Sequence, residues 1–327
     1  SVMTREPKIL VSGVKPTGRP HIGNYFGAMK RFVDLQEDYQ TMIFIADYHA
    51  LTTERDAKKL RQESLDIAID YLAIGLDPKK MIMFRQSDVP EVTELAWIFN
   101  CLTTVPFLSR AHAYKDALAN NREVNVGVFD YPILMAADIL IQDADVVPVG
   151  QDQKQHVEIA RDIAEKFNLA YGETFKLPEP LTDERVSTIP GIDGKKMSKS
   201  YNNTISLFAS DEEVEKQVMA IVTDSKGVGE PKDPEKDLVF AMHKLFSDTS
   251  TLKDIEIRYH EGKIGYKESK EILIKNVRDF IVPLREKRNA IAENKDAVFE
   301  ILKHGGQTAK HNAFLKMGQV KRATGLL

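Results

Sequence analysis

Two separated clusters of residues carry side chains suited to phosphate chemistry. The first is His21-Ile22-Gly23-Asn24, which stands between an apolar segment and the start of a predicted helix. Free backbone N–H groups and the helix dipole favour an anion at such a position. Gly23 would let a nucleotide approach the main chain, and His21 can donate to a phosphate oxygen as negative charge develops there. Alone this is a weak indication, since His21 is equally well explained as an ordinary helix-start residue.

The second cluster is a lysine-rich segment that follows a predicted strand, Gly194-Lys195-Lys196-Met197-Ser198-Lys199-Ser200. Ordinary solvated charge runs have a similar composition. Three ammonium groups on a glycine-led loop could, however, neutralise a leaving pyrophosphate. Lys196 lies 175 positions after His21. The pairing of a helix-start phosphate site with a distant cationic loop favours the two ends of an ATP site.

The elements that must position these clusters are short apolar strands that alternate with helices. Strands are predicted over residues 9–13, 42–46, 81–84, 146–149 and 187–189. Helices are predicted over residues 22–36, 57–74, 132–142 and 153–167. Strands that are apolar throughout and alternate with helices predict an α/β fold, a doubly wound parallel sheet covered on both faces. Ligands bind such sheets at the carboxyl ends of the strands.

The length of 327 residues predicts two domains. Residues 1–205 form the first, which contains a helical insertion at about 90–130 and the lysine-rich loop at 194–201. Beyond residue 205 the strand patterns disappear. Residues 206–327 are therefore predicted to form a smaller, all-helical C-terminal domain.

Composition excludes several classes of protein. No apolar run approaches a membrane span, and the N-terminal residues lack the apolar core of a signal peptide, so we expect a cytoplasmic protein without a membrane partner. The single cysteine, Cys101, excludes an internal disulfide and a cysteine-based metal cluster. It lies in an apolar run, which predicts a buried packing thiol. The net charge of −4 excludes a general polyanion binder, so nucleic acid would need a local basic patch.

The two clusters resemble the HIGH and KMSKS motifs of class I aminoacyl-tRNA synthetases, in that family's order. Asn24 replaces the last histidine of HIGH, a departure typical of the tryptophanyl branch. Most of the chain is similar to bacterial tryptophanyl-tRNA synthetases, most strongly from residue 9 to 168. Three further segments carry this resemblance: Ser12-Gly13-Val14-Lys15-Pro16-Thr17-Gly18, Met135-Ala136-Ala137-Asp138 and Val147-Pro148-Val149-Gly150-Gln151-Asp152-Gln153-Lys154-Gln155-His156.

The resemblance implies a Rossmann-like catalytic domain that activates tryptophan with ATP and Mg²⁺ and then transfers it to tRNA. It implies four catalytic residues: His21, Asn24, Lys196 and Lys199. It implies a set of ATP-binding residues: Lys15, Thr17, Gly23, Asn24, Gly150, Asp152, Lys196, Met197, Ser198 and Lys199. It also implies a set of substrate-binding residues: Val11, Gly13, His49, Met135, Asp138, Val147, Val149 and Gln153.

Amino-acid specificity depends on Met135 and Asp138, which share a face of one predicted helix because they are three residues apart. An indole N–H can only donate a hydrogen bond, so a buried carboxylate suits it and rejects a purely apolar side chain. Without the resemblance, Asp138 would be interpreted as a helix cap or an ion-pair partner. Tryptophanyl enzymes often carry glutamine at the position of Lys15 and phenylalanine at that of Val11, so these two residues alter the expected pocket.

Three other functions remain open. Tyrosyl-tRNA synthetases share the fold, but their bacterial members have a tyrosine at the position of Val11. HIGH-bearing nucleotidyltransferases act without tRNA and lack the Met135–Asp138 segment. A synthetase paralogue could serve as a binding or regulatory protein, although both motifs are intact here. The resemblance also implies a homodimer and an anticodon-reading surface on basic residues of the C-terminal domain: Arg278, Arg285, Lys287, Arg288, Lys310, Lys316, Lys321 and Arg322.

Overall fold

The structure is a computed structural model that describes residues 6–150, 153–183 and 188–327. Within these ranges five parallel strands form one sheet in the order β3-β2-β1-β4-β5. The doubly wound parallel sheet predicted from the sequence is thus confirmed. The strands are β1 (Ile9–Val14), β2 (Gln40–Ile45), β3 (Met81–Arg85), β4 (Val146–Pro148) and β5 (Glu179–Leu181).

Helices make up most of the other regular structure of the described residues. None of those helices combines the length and the apolar character needed to cross a bilayer. The helices are α1 (Ile22–Asn24), α2 (Lys30–Leu35), α3 (Asp47–Ala50), α4 (Ala57–Ile74), α5 (Glu91–Asn100), α6 (Val105–Ser109), α7 (His112–Ala119), α8 (Val126–Ile141), α9 (Lys154–Tyr171), α10 (Asp211–Met219), α11 (Leu238–Phe246), α12 (Thr249–Glu261), α13 (Tyr266–Glu293) and α14 (Lys295–Thr324).

Two predicted elements differ from the structure. The helix predicted over 22–36 is interrupted by a π-helix at Tyr25–Met29, which separates α1 from α2. The predicted strand at 187–189 is wrong for Thr188 and Ile189, which lie outside any strand, and Ser187 is outside the described residues. The fifth strand is β5, whose Pro180 lacks the N–H that an interior strand would need. An edge position tolerates this proline, which also concealed the strand.

The chain divides into two compact units that do not follow the predicted boundary near residue 205. The first consists of residues 1–18, 33–185 and 294–327, and the second of residues 19–32 and 186–293. The lysine-rich loop therefore belongs to the second unit. Helix α14, predicted to be part of the C-terminal domain, packs within the first unit.

A glycine permits the close approach of α14 to the sheet. A Cβ atom at Gly305 would lie 1.9 Å from the carbonyl oxygen of Met83 in β3, so only glycine permits the observed approach. Beyond Gly305 the same helix contributes buried apolar residues to the core of the first unit, namely Ala309, Ala313, Met317 and Val320. Burial of this stripe favours packing against the sheet over a separate C-terminal bundle.

The second unit, taken by itself, is built from α10 to α13 around its own core. Phe240, Ile255, Tyr259 and Ile264 are almost completely buried together. The phenol of Tyr259 donates to Asp237 at 2.6 Å, so the polar group inside this core is satisfied. The π-helix residue Phe26 packs against two other phenylalanines of the unit, Phe246 and Phe280.

Cys101 is exposed, so the prediction of a buried packing thiol was wrong. It is the C-cap of α5, two residues beyond the fully buried Phe99. Two residues correspond to about 200° of helical rotation, which places these side chains on opposite sides. Trp97, on the same helix, is also exposed.

We expect Gly305→Ala to lower the free energy of unfolding by about 1 to 3 kcal/mol, because the new methyl group cannot avoid the Met83 carbonyl. Gly318→Ala in the same helix is the matched control. Its added Cβ would meet only the flexible Arg322 side chain, at 3.4 Å or more. Alanine there should raise helix stability by about 1 kcal/mol. Denaturant titration of both variants measures the two effects, and equal stabilities would refute the steric explanation.

Candidate active site

The carboxyl edge of the sheet in the first unit collects many of the predicted residues. Gly13, Lys15 and Thr17 lie at or beyond the end of β1, and His49 lies in α3 directly after β2. A Cβ atom at Gly13 would stand 2.6 Å from the ring of Phe44, so glycine is required for this close packing. The accessible surface left at Gly13, Lys15 and Thr17 gives a ligand access to the backbone at this edge.

A buried carboxylate lies at the centre of this edge. Asp138 on α8 is only 4% exposed. Its Oδ2 accepts a hydrogen bond from the Gln86 amide at 2.7 Å and lies 3.2 Å from Nε2 of His49. Burial raises the pKa of Asp138, while the bonds from His49 and Gln86 act in the opposite direction. Burial therefore favours the protonated form of this carboxyl group, whereas the two donors favour its ionised form.

The two oxygens of Asp138 have different surroundings. Both hydrogen bonds that the described residues make to this carboxylate end on Oδ2. Oδ1 is consequently the atom that can accept a bond from a ligand N–H. Tyr131 lies on the same helix with its ring centroid 4.1 Å from that of His49, and Lys15 Nζ is 5.8 Å from the Tyr131 ring. Tyr131 thus adds an aromatic ring beside His49, and one cation lies near that ring.

The remaining predicted residues of the first unit fall into two groups. Val11, Val147 and Val149 are buried in the core. Met135 is partly buried against the same core. Gly150 and Gln153 are exposed at the turn after β4. Asp152, predicted to bind ATP, lies outside the described residues.

In the second unit His21 caps α1. Its Nδ1 accepts from the backbone N–H of Asn24 at 3.2 Å, while the His21 N–H donates to Oδ1 of Asn24 at 3.0 Å. Burial, together with the positive charge of Lys199, lowers the pKa of His21 from 6.5 to about 4. The ring is therefore neutral at pH 7. Because Nδ1 accepts, the proton lies on Nε2, which remains a hydrogen-bond donor.

The KMSKS-like loop packs near His21 in this unit. A Cβ atom at Gly23 would lie 2.9 Å from the His21 ring and 3.3 Å from Cβ of Met197, which explains the glycine. Met197 is buried and its N–H donates to the carbonyl oxygen of Ile189 at 2.9 Å. Lys196 and Lys199 are both exposed. Helix start, imidazole and lysines thus form one cluster suited to a polyphosphate.

Sequence reasoning missed three residues of these clusters. Gln86 follows β3 directly, so its place at the carboxyl edge was the available signal. Tyr131 lies seven positions before Asp138, two helical turns away on the same face of α8. Asn203 follows the KMSKS-like segment and is buried, with four hydrogen bonds from its side chain. No general pattern distinguishes such an asparagine from a turn residue.

The basic residues predicted to form an anticodon surface are not equivalent. Lys316 is 7% exposed and bonds the Thr174 carbonyl oxygen and Asp143, so its inclusion in an exposed surface was wrong. Arg278 and Arg285 pair with acidic residues of α10. Lys310 and Lys321 pair with Glu91 and Glu94 of α5, within the first unit. Surface ion pairs of this kind contribute little to the free energy of folding, so their basic side chains can pair with other anions instead.

No group of three or more His, Cys, Asp or Glu side chains within residues 6–150, 153–183 and 188–327 is arranged to hold a metal ion. Phosphate oxygens and water are the usual ligands of Mg²⁺ in nucleotide sites.

A 3-2-1-4-5 parallel sheet, a HIGH-like helix start and a KMSKS loop together are the features of class I aminoacyl-tRNA synthetases. The family described as tRNA synthetases class I (W and Y) matches residues 3–282, and the chain belongs to that family.

Individual proteins are similar to this chain over nearly its whole length. The tryptophan–tRNA ligase of Fusobacterium nucleatum is 48% identical over 318 residues, which cover 97% of this chain and 98% of that protein. The tryptophanyl-tRNA synthetase of Campylobacter jejuni, crystallised with ADP and tryptophan, superposes with a TM-score of 0.93 at 47% identity. That match covers 97% of this chain and 99% of the other. The enzyme of Aeropyrum pernix, at 23% identity and a TM-score of 0.73, shares the fold.

The pKa of His21 provides a test of the second cluster. We expect its ring to titrate near pH 4 rather than 6.5. The unfolded chain takes up this proton at a higher pH, so stability present above pH 6.5 is lost as the pH falls towards 4. NMR of labelled histidine measures the midpoint, with His21→Gln to assign the signal. Lys199→Met should raise it and Lys195→Met should not. A midpoint near 6.5 would contradict the buried environment.

Proposed function

We propose that this protein is a tryptophan–tRNA ligase, which forms tryptophanyl-adenylate and pyrophosphate from L-tryptophan and ATP and then esterifies tRNA(Trp). The observation that carries the proposal is Asp138, a buried carboxylate whose two hydrogen bonds from described residues both end on Oδ2, which leaves Oδ1 for a ligand N–H. Indole is the amino-acid side chain that combines a large aromatic surface with a single N–H donor. The crystallised relative that binds ADP and tryptophan supports the same assignment.

The first reaction needs no protein nucleophile or base. The substrate carboxylate is ionised at neutral pH and attacks the α-phosphorus of ATP directly, with pyrophosphate as the leaving group. Catalysis then consists of positioning and of stabilising negative charge on the phosphates. We assign His21 Nε2–H and Asn24 to the phosphates from the helix side, and Lys196 and Lys199 to the pyrophosphate. Because the His21 ring is neutral, it donates this hydrogen bond without the positive charge that burial would destabilise.

The first unit holds the other parts of the two substrates. We assign Lys15 to the tryptophan carboxylate or the α-phosphate and Thr17 to a phosphate oxygen, because both are exposed beyond β1. Gly150 and Asp152 are assigned to the ribose and Gln153 to the amino acid. Mg²⁺ is assigned to the ATP phosphates rather than to a protein cage, where it would neutralise charge on the leaving pyrophosphate.

We assign His49 and Gln86 to the orientation of Asp138. Gln86 accepts from the backbone N–H groups of Tyr48 and His49 through Oε1 and donates to Asp138 through its amide nitrogen. The glutamine amide therefore fixes the start of α3 and the carboxylate simultaneously. On α8, Met135 lies one turn before Asp138 and Tyr131 lies two turns before it. Both side chains are assigned to the faces of the indole ring.

Transfer to the terminal ribose of tRNA follows activation. We assign anticodon reading to the helices beyond residue 206, with Arg278, Lys287 and Arg288 as basic residues of that region. We also propose a homodimer in the cytoplasm, where tRNA is charged. The helical insertion exposes four large apolar side chains, Trp97, Val105, Leu118 and Val126, which favours a protein partner there. Light scattering of the purified protein measures the oligomeric state.

The experiment that tests the proposed function is amino-acid-dependent ATP–pyrophosphate exchange, with each of the twenty amino acids supplied separately together with Mg²⁺. Exchange with tryptophan alone is expected. Exchange with tyrosine would identify the sister specificity of the same family. A second assay measures esterification of tRNA. Esterification would exclude a nucleotidyltransferase that acts without tRNA. No exchange with any amino acid would favour a binding paralogue and refute the proposal.

Replacement of Asp138 by Asn should lower kcat/KM for tryptophan about 10- to 100-fold, because a charge-assisted bond to the indole N–H is lost. The very low kcat/KM for tyrosine or phenylalanine should change little, so discrimination falls. Asp130→Asn is the matched control, since Asp130 lies on the same helix and bonds Asn100 instead. Unchanged discrimination in the Asp138 variant would show that another group recognises the indole.

A further inference from the structure

One side chain holds the backbone of the KMSKS-like loop. Asn203 is 1% exposed, and its amide nitrogen donates to the carbonyl oxygen of Lys196 at 3.0 Å, to that of Lys195 at 3.4 Å and to Oδ1 of Asp193 at 2.8 Å. Its Oδ1 accepts from the backbone N–H of Ser198 at 2.9 Å. A single amide group thus bonds the chain on both sides of Met197.

The surroundings of Asn203 leave no room for another arrangement. A Cβ atom at Gly191 would lie 2.1 Å from the amide nitrogen of Asn203, so the loop tolerates only glycine opposite this side chain. The carbonyl oxygen of Asn203 accepts from Ile192 N–H at 3.0 Å. The hydrogen bond from Asn203 is also the main cause that holds the pKa of Asp193 below its ordinary value.

We propose that Asn203 is a positioning residue for the activation reaction, because its amide fixes the direction of the two backbone segments that carry Lys196 and Lys199. The inference rests on the proposed function of these lysines. Lysine ammonium groups act as point charges on phosphate, so their effect depends on the placement of the backbone that bears them. Asn203 itself is buried and acts through the loop backbone that it bonds.

The donor and acceptor pattern makes asparagine specific at this position. Both an amide N–H donor and a carbonyl acceptor are used, and the donor meets two carbonyl oxygens and a carboxylate. An aspartate of the same shape keeps the acceptor for Ser198 N–H. It loses the donor and sets a second negative charge beside Asp193, so the loop is repelled rather than held.

The test compares Asn203→Asp with a matched variant, Asn168→Asp. Asn168 holds a different loop in the same manner, since its amide donates to the Phe175 carbonyl oxygen and accepts from the N–H groups of Thr174 and Phe175. That loop belongs to the first unit and carries none of the proposed catalytic residues. The pair therefore separates the general effect of a broken asparagine clamp from the effect on the lysine loop.

The first measurement is limited trypsin digestion of the full chain, with cleavage after Lys195, Lys196 and Lys199 followed by mass spectrometry. Cleavage after the exposed Lys226 of the same unit is the internal reference. In Asn203→Asp we expect loop cleavage relative to Lys226 to rise about tenfold or more, as a lost buried hydrogen bond implies. In Asn168→Asp the ratio should not change. Equal ratios in the two variants overturn the proposal.

The second measurement is tryptophan-dependent ATP–pyrophosphate exchange. Asn203→Asp should reduce kcat about tenfold or more and leave KM for tryptophan within about twofold, because the tryptophan pocket is built by other residues. Equal losses in kcat for both variants would indicate a merely structural effect and overturn the proposal. If the wild-type protein catalyses no exchange, the proposed function fails, whereas the digestion ratio still decides whether Asn203 holds the loop.

A second variant protects the test against misfolding. Asp193 is exposed and accepts one of the amide bonds, so Asp193→Ala weakens the clamp without opening a core. It should raise loop cleavage relative to Lys226 by a smaller factor than Asn203→Asp. An unchanged ratio in Asp193→Ala, combined with an unfolded Asn203→Asp, would count against the proposal.

Discussion

A carboxylate that is almost completely buried imposes the strictest requirement on the first unit. Asp138 loses its hydration on folding, and an uncompensated charge in such a site is costly enough to be neutralised by protonation instead. The compensation comes from His49 after β2 and Gln86 after β3. Strand order, the short α3 and the position of α8 must all be correct before these donors meet the carboxylate. The fold of the first unit and the ionised state of this carboxylate consequently depend on the same contacts.

Proximity within the candidate site could be predicted from the sequence where a residue lies in a recognisable motif. His21, Gly23 and Met197 are close together in the second unit, as the pairing of the two clusters indicated. The position of Gln86 after β3 could have been noticed, but the bonds of Gln86 and Asn203 could not be predicted, because no neighbouring residue indicates that either amide is both donor and acceptor. Gln86 bonds Asp138, 52 positions further along the chain, and periodicity contains no information on such a contact. Asn203 bonds the loop five to ten positions before it, and its role depends on the path of that loop, which no periodic pattern describes.

The fold was predictable where local signals agree. Helix α4 begins and ends as predicted because Asp56 caps its start and Gly75, at a φ of 124°, ends it. Strand β5 was missed because Pro180 argues against a strand, although an edge strand accepts it. The return of α14 was missed as well. Its glycines and alanines at positions 305, 309 and 313 repeat every four residues, a spacing that permits close helix packing but does not name the partner.

The two-part interruption of the first unit has a consequence for biosynthesis. Its β-sheet is complete once residue 181 has left the ribosome, but the helix that covers β3 is not made until after residue 294. At 5 to 20 residues per second, about 5 to 20 seconds separate these events. During that interval the apolar face of β3 lacks its final cover, while residues 186–293 of the second unit are translated. Nascent chains of this protein therefore pass through a defined window in which a chaperone that binds exposed apolar segments has a target.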